Sequence, residues 1–89
     1  MLRIQANSAS VWLHTQPLPT DLALDCNGRA ERPEFAKLRE VATPVSAPSW
    51  HDSPIDIHWL TQGAGTAQAL RGYSSDHRPL VADIDWHRA

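Results

Sequence analysis

Asp76 and His77 stand side by side in Ser75-Asp76-His77-Arg78-Pro79, immediately before an apolar run. A carboxylate at such a loop–strand junction can hold a hard cation such as Mg2+. An imidazole there can donate to a phosphate oxygen or move a proton near neutral pH. A solvated turn would use the same residue types. Asp56 lies in Ile55-Asp56-Ile57-His58-Trp59-Leu60, where strict alternation puts it on the same face as His58. A carboxylate among apolar neighbours needs a partner. Pairing with His77 would satisfy both groups and fix the imidazole tautomer, as in a catalytic triad. The plain alternative is an edge-strand aspartate pointing at water. Asp25 and Asn27 follow Leu22-Ala23-Leu24 and face the same way if the segment is extended. At the carboxyl end of a strand, where ligands gather in α/β sheets, the carboxylate can orient a water and the amide can bond a phosphate oxygen. Composition by itself favours an ordinary Asp/Asn/Gly turn at this point.

Three loops must bring these residues together, and the chain supplies elements to carry them. Apolar steps of three and four from Leu2 to Leu13 predict a helix over 2–15, ended by Pro17 and Pro19. Leu22 and Leu24 alternate with polar neighbours, which predicts a strand over 20–26. Asn27-Gly28 opens a loop, and Pro33 fits the first position of a helix over 33–41 with Phe35, Leu38 and Val41 as its stripe. Residues 42–54 are rich in proline and serine and read as a loop with little regular structure. Strands are predicted over 55–60 and 79–86. Residues 67–71 form a short strand that makes a hairpin with 55–60 across the turn at 62–66, and 72–78 are a polar loop. The order predicts a single α/β domain built on one mixed sheet with two helices.

The chain has 89 residues and a formal charge of −2, with 42% hydrophobic and 20% charged side chains. That excludes wholesale disorder and the basic balance of a protein that holds nucleic acid by charge alone. A single cysteine, Cys26, excludes an internal disulfide. It reads as a small buried hydrophobe, and a reducing, cytoplasmic setting is the simple expectation. No apolar run approaches the roughly 20 residues of a membrane span, and no leader peptide is evident. Trp12, Trp59 and Trp86 fall on apolar stripes and are expected in the core. Trp50 is expected as a lid contact or a half-buried anchor. Arg71 and Arg78 carry charges that suit phosphate binding.

The joint order is more specific than any one signal. Asp-x-Asn after a strand, Ile-Asp opening a strand and Ser-Asp-His-x-Pro before a strand together resemble the endonuclease/exonuclease/phosphatase superfamily, the deoxyribonuclease-I-like fold. LALDCNGRAERPEF is similar to its Gly-Asp-Phe-Asn motif and the helix start that follows. PIDIHWL is similar to its Ile-Asp strand, and SSDHRPLVADI to its closing motif. The resemblance implies the C-terminal half of a four-layer α/β/β/α sandwich, with hydrolysis of phosphodiester or phosphomonoester bonds using Mg2+ or Mn2+. It assigns the attacking water to Asp25, the scissile phosphate to Asn27, orientation of His77 to Asp56, the metal to Asp76 and transition-state stabilisation to His77. Arg78 would contact substrate.

Leu24 and Cys26 depart from the family's Gly and Phe, and Ile57 precedes His58 where the family has His or Tyr directly after its Asp. The family's first-half Asn and metal-binding Glu have no counterpart upstream of Asp25. A separate first half or a homodimer is therefore expected to complete the site. The alternative is a catalytically inactive fragment or small interaction module that keeps the fold. Substrates of such a family range over DNA, RNA, inositol phosphates and lipid head groups.

Overall fold

The helix expected over 2–15 forms as α1 (Arg3–His14), and the face it buries carries two small residues and one leucine. A computed structural model, which describes residues 1–71 and 76–87, places Ala6, Ser10 and Leu13 of α1 inward. Successive helical residues turn by about 100°, so this choice of face turns Ile4, Val11 and Trp12 outward. Trp12 is 49% exposed, which corrects the expectation that it is core. The second helix begins as a 3-10 turn at Pro33–Phe35 and continues as α2 (Ala36–Val41). Pro33 costs nothing there, because a first-turn N–H has no intrahelical partner.

β1 (Asp21–Asp25) and β3 (Asp56–Leu60) are antiparallel, with Asp25 opposite Asp56 and Leu24 opposite Ile57. β2 (Thr43–Ser46) pairs with the other edge of β3 and corrects the reading of 42–54 as a loop throughout. Its short Thr-Pro-Val-Ser run is masked in sequence by surrounding prolines. Pro44 is tolerated because β2 is an edge strand, where a missing N–H disturbs no ladder on the open side.

β4 (Ala64–Ala69) and β5 (Leu80–Asp85) form a separate antiparallel pair. The expected hairpin of 67–71 with 55–60 is thereby corrected. Both edges of β3 are already occupied by β1 and β2, so the strand after the turn must find another partner. Among the described residues the expected single mixed sheet is instead two antiparallel sheets, one of three strands and one of two. With two helices they make an α+β domain. Residues 72–75, including Ser75 of the closing motif, lie outside the described residues.

The core lies between the helices and one face of the three-stranded sheet. Leu13, Phe35, Leu38, Ile57 and Trp59 are fully buried there with Cys26, and Leu22 and Leu24 pack against them. Phe35 and Trp59 meet with ring centroids 6.1 Å apart, and Trp59 Nε1–H donates to Cys26 Sγ at 3.5 Å. Alternation sends Asp25, Asp56 and His58 to the opposite face. Ile55, Ile57 and Trp59 are buried, Ile84 and Trp86 are half-buried, and Val81 is 48% exposed.

The turn into β4 depends on Gly63. Its φ is +89°, and a Cβ there would lie 2.5 Å from the Asp85 carbonyl oxygen. Gly63→Ala therefore forces strain and a backbone clash together. We expect a loss of more than ~1 kcal/mol, read as a lower urea midpoint; an unchanged midpoint would show that the turn relaxes freely. No helix among the described residues is long and apolar enough to cross a membrane.

Candidate functional site

β1 ends on Asp25 and β3 starts on Asp56, and their cross-strand register sets the two carboxylates side by side on the face away from the helices. Asn27 follows in the left-handed region at φ 50°, and its N–H donates to Asp25 Oδ1 at 3.1 Å. This is the Asp/Asn/Gly turn that composition favoured. It also holds one oxygen of Asp25 and leaves Oδ2 to face His77.

The closing segment delivers His77. Its Nδ1 lies 2.8 Å from Asp56 Oδ2, the imidazole N–H donating, and its Nε2 lies 3.9 Å from Asp25 Oδ2. Asp56 Oδ2 also accepts from the hydroxyl of Ser49 at 2.5 Å. Ser49 is fully buried, and its carbonyl accepts the Arg78 N–H at 2.6 Å. One segment thus orients Asp56 and anchors the backbone beside His77. Asp76 Oδ1 accepts the backbone N–H of His77 at 3.1 Å, and Asp76 is exposed.

Asp25, Asp56 and His77 each offer one ligand atom, and these atoms lie within 4.8 Å of one another. The hydrogen bond to Asp56 raises the His77 pKa above its ordinary value, against the opposing effect of desolvation. The negative charges of Asp56, Asp25 and Asp76 push in the same upward direction. Nδ1–H is fixed on Asp56 and Nε2 faces Asp25.

A cavity of about 590 Å3 opens beside His77, lined in part by Asn27, Arg29, Arg32 and Trp50. Arg78, the arginine read as a substrate contact, is exposed and is not among the lining residues. Arg29 and Arg32 occupy that position instead. Sequence reading passed them over because the loop 27–32 looked like a connector. It also missed Ser49, one of several serines in a Pro/Ser-rich stretch, and the pair of His58 Nδ1 with Asp21 Oδ2 at 2.7 Å. The face shared by Asp56 and His58 was readable, but His58 finds its partner through the β1–β3 register.

Two carboxylates and an imidazole form a donor set that a divalent cation could use, and the set does not by itself select one metal. Asp25, with its side chain 48% exposed, is open enough to serve. The fold and site define an α+β domain with a carboxylate–imidazole–carboxylate cluster, of which His77 also lines an arginine-containing cavity. No protein-family model matches the chain, and neither the curated proteins nor the solved structures contain a match.

Proposed function

We propose that this protein hydrolyses phosphate esters, diesters foremost, in the manner of the endonuclease/exonuclease/phosphatase superfamily. The observation that carries this reading is the convergence of Asp25, Asp56 and His77 from three separate chain segments, with His77 also lining a cavity that contains two arginines. An ordinary solvated turn at 76–79 would leave His77 without a hydrogen bond from its ring to a strand carboxylate.

In this reading His77 is the imidazolium that donates Nε2–H to a non-bridging phosphate oxygen, where negative charge is held in the transition state. Asp56 keeps the ring protonated and aimed, and Ser49 keeps Asp56 aimed. Asp25 orients the water and takes its proton as the water oxygen bonds to phosphorus and the ester P–O bond breaks, the leaving alkoxide taking a proton from solvent water. Asn27 contacts the phosphate. Arg29 and Arg32 offset phosphate charge. Asp76, together with Asp25, would hold a divalent cation, Mg2+ or Mn2+, while Asp56 stays with His77; the cation would supply charge neutralisation and a lowered water pKa. A further segment or a second copy of the chain, adding a carboxylate ligand and completing a four-layer sandwich, belongs to the same proposal.

The test is hydrolysis of a generic phosphodiester with Mg2+ or Mn2+ added or chelated. Turnover that requires both the cation and His77 supports the proposal. Absence of metal binding together with a rate that His77→Ala leaves unchanged would overturn it, and the fold would then stand as an interaction module.

A further inference from the structure

Trp50 occupies an unusual position for its type. It is 39% exposed, yet its backbone is fixed: Ser53 N–H donates to the Trp50 carbonyl at 2.9 Å, and Trp50 N–H to the Ser53 carbonyl at 3.3 Å. The residue before it is Ser49, fully buried and bonded to Asp56. The His51 ring meets the indole at 4.4 Å with the planes 75° apart, and His51 itself sits at φ 52°. A large aromatic is thus held partly in solvent, at the wall of the cavity that His77 also lines.

The other walls are cationic and also tethered. Arg29 Nη2–H donates to the Asp52 carbonyl at 3.3 Å, which ties the arginine to the loop bearing Trp50. Arg32 Nε–H donates to Glu34 Oε2 at 2.8 Å. Arg32 lies across Gly28, where a Cβ would come within 2.7 Å of Arg32 Cδ. A flat π face, two guanidinium groups and the His77 imidazole therefore share one space. About 590 Å3 is available, within the roughly 300–1,000 Å3 range of small-molecule sites.

We infer that this cavity takes a nucleotide unit, with the base stacked on Trp50 and the phosphate held between Arg29, Arg32 and His77. The inference rests on the phosphate-ester reading and deepens it by naming the group attached to phosphorus. A sugar phosphate or inositol phosphate has no aromatic face to stack on the indole. Stacking of a base on an aromatic side chain tolerates any base, so selectivity is for bases as a class.

Equilibrium titration with AMP and with ribose 5-phosphate, in Mg2+ and followed by NMR chemical shifts, separates the two readings. AMP is expected to bind about tenfold more tightly than ribose 5-phosphate. Trp50→Ala should erase that ratio and Trp50→Phe should keep most of it, with circular dichroism confirming that both variants fold. Equal binding of AMP and ribose 5-phosphate, or a ratio unchanged in Trp50→Ala, overturns the nucleotide inference and leaves the phosphate site standing. If neither compound binds, both readings fall. A single-stranded ApA arm locates the source: tighter binding than AMP points to a strand, equal binding to a free nucleotide, and either supports the stacked base.

Discussion

His77→Ala is expected to lower metal-dependent phosphodiester hydrolysis by about 10²–10³-fold, the usual loss when one aimed donor or proton-transfer group is removed. The imidazole lies against both carboxylates, Asp56 at 2.8 Å and Asp25 at 3.9 Å, so its removal takes away the group that links them. The pH dependence carries more information than the rate. Activity needs the imidazolium, so it falls as pH rises through the His77 pKa, which Asp56 holds above its ordinary value. Asp56→Asn removes the largest upward cause and should shift that falling limb to lower pH. Stability follows the same sign. The folded-state pKa is raised, so the pair's contribution is complete below about 6.5 and is lost as pH climbs through the folded value. An alkaline limb that stays in place in Asp56→Asn would separate the imidazole from the rate.

Trp59→Ala carries the largest expected effect on stability. Trp59 is fully buried, stacks at a tilt on Phe35 and donates to Cys26. Truncation of a buried tryptophan costs about 3–5 kcal/mol. A domain of this length holds only about 4–13 kcal/mol in total, so the variant should be largely unfolded at a urea concentration the native protein tolerates. A thiol reagent gives a second readout. Burial pushes the Cys26 thiol pKa up and shields it, so modification should be slow in the native protein and fast in Trp59→Ala. Trp59→Phe keeps the ring contact and should fall between. A native-like midpoint for Trp59→Ala would show that the core does not depend on this residue.

Much of the site was legible because its residues sit where one-dimensional rules apply. Asp25 and Asp56 end and begin alternating runs, so their faces follow from a period of two, and His77 stands two residues before Pro79, which immediately precedes β5. What escaped reading depends on pairing between distant segments. β2 is four residues long with a proline in it, and only the free edge of β3 makes it a strand. The Asp21–His58 pair joins residues separated by 37 positions, and neither has a local cue. Ser49 matters through its burial behind Asp56, and burial is a property of the assembled fold. Trp12 was misread because α1 has two apolar stripes. The stripe that packs is the one with small residues, Ala6 and Ser10, which allow close approach to the neighbouring helix.

The convergence of the imidazole with two carboxylates is tested most directly by an NMR titration of the His77 ring in the native protein and in Asp56→Asn. The account predicts a native pKa above the ordinary histidine value of about 6.5, falling toward that value in the variant. An ordinary value in both proteins would place His77 away from Asp56 and contradict the site.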